Sequence, residues 1–209
     1  MKIKEIPEYE KDLESIRTMM ERSVKFLSLS GLSGVLAGIY AVVGSVIAYK
    51  VIYYNTPPFG YIFHFLSESQ AYAQLMWIAF WVLLFSVATG FLFGLRKARK
   101  LGVSMWNNTS RQLLFDILFP LGCGGMFVII MASRGYYDLV APACLVFYGL
   151  ALMAGGRHTY EEIRYLGLSE IVIGVGCAWL PGFSLLCWAF GFGLVHIVYG
   201  AIMHFRYDR

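Results

Sequence analysis

The sequence predicts an all-α integral membrane protein with six transmembrane helices arranged as three tandem helical hairpins, preceded by an amphipathic amino-terminal helix. Three observations lead there. The chain is 58% apolar and only 14% charged, against about a quarter charged in soluble domains. Its mean hydropathy is +0.63. Six apolar runs approach the roughly 20 helical residues that cross a bilayer core.

The amino-terminal segment, residues 1–26, reads as a cytoplasmic or interfacial helix. Pro7 suits a first helical turn, and Glu8, Glu10 and Asp12 follow it at the positive end of the helix dipole. Tyr9, Leu13, Ile16, Met20, Val24 and Leu27 recur at steps of three and four, an apolar stripe. Such a helix lies on the membrane surface, caps its own bundle, or docks a partner or a second copy of the chain.

The membrane domain spans 27–203, with hairpins 27–95, 113–154 and 167–203 and a cytoplasmic tail at 204–209. Its expected spans are 27–49, 75–95, 113–132, 138–154, 167–180 and 183–203, the fifth being short for a full crossing. Ser30, Gly34 and Gly38 on the first span, and Gly90 and Gly94 on the second, are small residues four apart, a spacing that lets helix backbones approach in lipid. Residues 54–74 form the one sizeable outer loop. They carry Pro57-Pro58, His64 and Glu68 and read as an interfacial aromatic belt or, alternatively, a ligand lid. Thr109 with Gln112, and Thr159 with Glu162, have capping-box spacing at two helix starts.

All but Lys50 and Arg134 of the 17 lysines and arginines fall on one side of these spans. The positive-inside rule therefore places both termini in the cytoplasm. Arg96, Lys97, Arg99 and Lys100 cluster between the second and third spans and suit anionic lipid headgroups. The net charge of +4 is thereby explained without a nucleic-acid partner. Cys123, Cys144, Cys177 and Cys187 all fall inside spans and contain no C-x-x-C pair, so they read as small buried apolar residues.

The hairpins share a register. Asp116 aligns with Glu170, Gly122-Cys123 with Gly176-Cys177, and Gly31-Leu32-Ser33 with Gly167-Leu168-Ser169, while Phe93-Gly94, Tyr148-Gly149 and Tyr199-Gly200 match on the even spans. Three copies in one orientation would pack around an axis along the membrane normal. The last hairpin, 168–203, folded about Leu180-Pro181-Gly182, is the clearest copy.

The glycine and proline spacing of that copy, Gly174, Pro181-Gly182, Gly193 and Gly200, resembles the short paired-helix repeat of the HdeD-like acid-resistance membrane proteins. The resemblance covers roughly residues 113–203. It implies a six-helix bacterial inner-membrane protein linked to stress at low pH, with no established reaction. The charged amino-terminal helix and the long first outer loop depart from that pattern.

Ionisable groups inside spans mark candidate sites. Asp116, Glu170 and His196 are expected at similar depth near the inner face, where they would make a proton or cation site of a small channel or carrier. Gly31-Leu32-Ser33-Gly34 also fits the G-x-S-G string of intramembrane rhomboid proteases, with His196 as its partner, but Ser33 lies on the first span and has a packing role beside Gly34. No H-E-x-x-H, phosphate-loop or dinucleotide fingerprint occurs, so no metal or cofactor is expected. The leading expectation is a non-enzymatic stress-associated protein whose bundle packs or scaffolds the membrane.

Overall fold

The computed structural model describes residues 30–52, 68–102, 104 and 106–207. The expected amphipathic helix, with the oligomer or partner contact assigned to it, and most of the expected outer loop lie outside the described residues. Every regular element among the described residues is helical: α1 Gly31–Ile52, α2 Glu68–Leu101, α3 Asn108–Ser133, a 3-10 turn Tyr137–Leu139, α4 Val140–Gly155, α5 Glu161–Ala178 and α6 Ser184–Tyr207. The turns Ala189–Val195 of α6 are π-helical.

Five of these helices are long and apolar enough to cross a membrane. The exception is α5, which carries Glu161, Glu162, Arg164 and Glu170 within its 18 residues. Hydropathy understates α2 at both ends. Its 34 residues measure about 51 Å at ~1.5 Å per residue, well beyond a ~30 Å hydrocarbon core. Residues 68–74, expected as loop, are its first turns, and the basic cluster Arg96 to Lys100 rides on its last turns instead of in a linker.

Both expected capping boxes are corrected. Asn107, not Thr109, caps α3: its side chain accepts from the Ser110 N–H at 2.8 Å, and the Ser110 hydroxyl receives the Asn107 N–H at 2.8 Å. At α5 the Thr159 hydroxyl turns back to the Gly155 carbonyl, and the Glu162 carboxylate is taken by groups on α6. The end of α3 has the hydrogen bonds of a Schellman motif, Tyr136 N–H to Met131 O and Gly135 N–H to Ala132 O, with Gly135 at φ +81°. Between α5 and α6, Phe183 N–H bonds Leu180 O across Pro181 and Gly182 (φ +87°), the residue order and backbone sign of a type II turn.

Two close seams dominate the packing, α4 on α5 and α1 on α6. In the first, a Cβ on Gly149 would meet the Gly167 carbonyl at 2.5 Å, and one on Gly167 would meet the Gly149 carbonyl at 2.6 Å. In the second, Gly200 faces the Gly31 carbonyl (2.8 Å from an added Cβ), Gly31 faces Gly200 and the His204 backbone, and Gly38 faces the Gly193 carbonyl (2.6 Å). With no side chain between them the backbones touch, and dispersion holds helices that gain nothing from hydrophobicity in lipid. Thus the two helices of the 168–203 hairpin have their closest partners elsewhere, because the glycine faces of α5 and α6 turn towards α4 and α1. α3 leans on α4 with Gly124 beneath the Phe147 ring, and α2 leans on α1 with Gly44 against Val82.

The helix ends sort by charge. At one end Gly31 meets His204, Lys97 meets Tyr160 and Arg206 meets Glu162. At the other, Tyr72 stacks on Tyr137 with ring centroids 3.6 Å apart, and the Ser184 hydroxyl donates to the Asp138 carbonyl at 3.2 Å.

Candidate functional site

Among the described residues Glu170 is the most deeply buried ionisable side chain, with 0% of its surface exposed. The sequence places it on the narrow face of α5 between Gly167 and Gly174, so the glycines that draw α4 close also seal the carboxyl. Its floor is Leu145 of α4 and the backbone of Gly191: a Cβ on Gly191 would stand 2.6 Å from both Glu170 Oε2 and Leu145 Cδ2. Only glycine leaves that space.

His196, itself buried, is aimed at the carboxyl by the π-helical turns before it. π-Bulges disturb the regular ladder of helix bonds, and here the Gly191 carbonyl is left within reach of the ring. Nδ1 of His196 lies 3.1 Å from Gly191 O and 3.2 Å from Glu170 Oε1. A carbonyl can only accept, so Nδ1 carries hydrogen and directs it to Gly191. Both Glu170 oxygens are then buried without a hydrogen bond, although an imidazole nitrogen stands beside one of them. Nε2 meets the Tyr148 hydroxyl of α4 at 2.9 Å. A neutral ring accepts from that hydroxyl; a charged ring donates to it.

An isolated buried charge costs several kcal/mol. The carboxyl and the imidazole are therefore stable as two neutral groups or as one ion pair, and because Nδ1 keeps its hydrogen in both, the proton that makes the ring charged sits on Nε2, towards Tyr148. The groups facing Glu170 are Leu145 and Tyr148 from α4 and Gly191 and His196 from α6.

Asp116 does not join this pair as expected. Its Oδ2 is bonded to His158 Nε2 at 3.0 Å, in a partly exposed contact between α3 and the α4–α5 connection. The reason is local: α3 packs on α4, and Gly155 lets Ile117 and Leu113 approach the end of α4, where the chain turns out towards His158. The expected trio is thus the pair Glu170 and His196 plus a separate pair, Asp116 and His158. Ser33 and His196 are also engaged apart. The Ser33 hydroxyl donates to the Ser30 carbonyl at 2.6 Å, while the imidazole serves Gly191 and Tyr148. Of the basic cluster, Arg96, Arg99 and Lys100 are exposed, whereas Lys97 turns inward, its Nζ 5.6 Å above the Tyr160 ring.

A second polar junction lies at the basic end. The buried Glu162 carboxylate accepts from Arg206 Nη1 at 2.7 Å and from the Tyr207 hydroxyl at 2.9 Å, while Tyr207 stacks against Tyr160. This ties the last turn of α6 to the first turn of α5. Glu162→Ala is expected to free the last turn of α6: backbone amides of residues 203–207 should exchange with solvent at least tenfold faster, while the amides of α4 keep their rates.

Sequence reasoning missed Tyr148, Gly191 and His158. Tyr148 already stood out as the match to Tyr199; nothing in the sequence signalled that the Gly191 carbonyl would turn to a ring. Compared with protein-family models, curated proteins and solved structures, the chain matches none of them.

Proposed function

We propose that this chain is a non-enzymatic multi-pass protein of a bacterial inner membrane, crossing it six times as three tandem hairpins with both termini in the cytoplasm, and that it works as a packed, scaffolding bundle. The observation that carries the reading is the sealed centre. Glu170 is wholly buried against Leu145 and the Gly191 backbone, and the glycine seams on either side leave no space between backbones. The repeat is supported by the seams themselves: Gly149 against Gly167 is the equivalent, in the shared register, of Gly200 against Gly31. Leu113 of α3 stands at the position of Gly31 and Gly167, so a third seam of the same kind is blocked by a side chain. Orientation is supported by the gathering of Lys97, Arg157, Arg164 and Arg206 towards one end. The link to acid stress rests on the glycine and proline spacing that resembles the HdeD-like proteins.

A second reading, a proton or cation carrier, is favoured by one observation: neither oxygen of Glu170 has a hydrogen bond, although His196 stands 3.2 Å away. Asp116 would no longer belong to such a site. Reconstituted into vesicles under a pH gradient, the protein should leave the rate of gradient decay equal to that of empty vesicles, and Glu170→Gln should change nothing. Faster decay that Glu170→Gln abolishes would favour the carrier. The scaffolding role itself predicts that cells lacking the protein lose survival at low pH and that the Glu170→Gln protein restores it.

A further inference from the structure

Helices α5 and α6 follow one another through a tight turn, yet their glycine faces are turned apart, Gly167 to α4 and Gly200 to α1. They meet at the buried pair Glu170 and His196 and at the junction of Glu162 with Arg206. Outward of the buried pair, a groove of about 500 Å³ is left open between them. One wall is Leu168 and Val172 of α5, the other Phe190, Leu194 and Val198 of α6, each about half exposed or more. The Ser169 hydroxyl, on the first wall, is turned to its own helix and donates to the Tyr165 carbonyl at 2.9 Å. That wall is therefore apolar, and the groove has the ~300–1,000 Å³ size of a small-molecule site. Phe190 and Leu194 belong to the π-helical turns, so the feature that aims His196 at Glu170 also supplies the second wall.

We infer that this groove seats one glycerophospholipid of the inner leaflet, with an acyl chain lying along α5 and α6 and the phosphate on Arg206. The inference rests on the crossings and orientation proposed above, which set the Arg206 end of α6 at the inner face. The hydrocarbon core holds no water to fill an open apolar groove, so lipid chains fill it.

The dimensions and the charges fit that occupant. From Phe190 to Arg206 α6 rises roughly 24 Å at ~1.5 Å per residue, close to the ~20 Å of one leaflet with its headgroups. Arg206 stands at the headgroup end of this path. Glu162 holds its Nη1 at 2.7 Å and so fixes the guanidinium, while 66% of the side chain remains exposed. The planar fork of a guanidinium matches phosphate oxygens. Tyr165, 60% exposed and one turn before Leu168, lies where tyrosines sit in membrane interfaces. Two carboxylates, Glu161 and Glu162, stand in the first turn of α5. The mouth therefore selects phosphate through the aim of Arg206 and not through an excess of positive charge.

The test uses the full chain, purified in mild detergent and mixed with dioleoylphosphatidylethanolamine or with dioleoylglycerol, which lacks the phosphate. Native mass spectrometry should show one phosphatidylethanolamine retained per chain and about tenfold less dioleoylglycerol, the scale of one charge-assisted hydrogen bond. Val172→Trp and Leu194→Trp, which fill the groove from opposite walls, should each abolish the retained lipid. Ile129→Trp, on an exposed face of α3, should not. Arg206→Gln should bring the two lipids to equal retention, whereas Glu162→Gln, which keeps the guanidinium, should preserve the preference. No retained lipid, or an equal loss in Ile129→Trp, would overturn the site, and a dimer dissolved by Val172→Trp would give the groove to a second copy instead. The crossing of α5 is tested apart, with the four native cysteines replaced by serine. Trp179→Cys should react with an impermeant maleimide in intact cells whose outer barrier has been opened, and Arg157→Cys only after lysis, both positions being exposed. Labelling of both before lysis would contradict the crossing; the expected labelling without a retained lipid would sink the groove alone.

Discussion

Gly200→Ala is expected to force α1 away from α6 and to destabilise the protein by about 1–3 kcal/mol, the usual range for overpacking a close contact. An added Cβ would stand 2.5 Å from the Val35 amide nitrogen and 2.8 Å from the Gly31 carbonyl. Those neighbours are backbone atoms, which cannot rotate aside as a side chain can. The informative comparison is Gly176→Ala. Gly176 has nothing within 4 Å of its missing Cβ, so there alanine should stabilise α5 by up to about 1 kcal/mol through helix propensity alone. Unfolding in mixed micelles, followed by circular dichroism, should therefore move in opposite directions for the same chemical change. Equal effects at the two positions would mean that α1 and α6 do not touch at Gly200.

Removing the imidazole should cost more. His196→Leu leaves the Gly191 carbonyl and the Tyr148 hydroxyl without their ring partner and strands Glu170 in a wholly buried site. Losing one member of a buried pair typically costs about 3–5 kcal/mol, much of it the penalty on the partner left behind. Glu170→Leu with His196→Leu removes that penalty, so the double variant should be more stable than His196→Leu alone. This reversal is the signature of coupling across a contact. A double variant weaker by the simple sum of the two single changes would show that the carboxyl and imidazole act independently.

Most of the helical architecture was legible in the sequence, because apolar runs, glycine spacing and basic flanks are set by lipid and need no tertiary information. What sequence missed depends on which face each helix turns. The glycines of 167–203 were visible, but their partners were not: Gly167 closes on Gly149 and Gly200 on Gly31, so the two helices joined by the Leu180–Phe183 turn belong to different seams. Asp116 and Glu170 align in the register that the sequence suggests, and the equal depth expected of them pointed to a common site. Depth says nothing of azimuth, and Asp116 is turned to His158. The capping errors have the same origin. Glu162 is spaced to reach back to its own helix start, yet Arg206 and Tyr207, 44 and 45 residues away in sequence, reach it first.

A dry, sealed centre around Glu170 is tested most directly by the accessibility of position 170. In a background with the four native cysteines replaced by serine, Glu170→Cys in intact proteoliposomes should resist a small water-soluble thiosulfonate and react only after denaturation in detergent. Rapid modification of the folded protein would place water at the carboxyl, contradict the sealed bundle and leave the carrier as the better description.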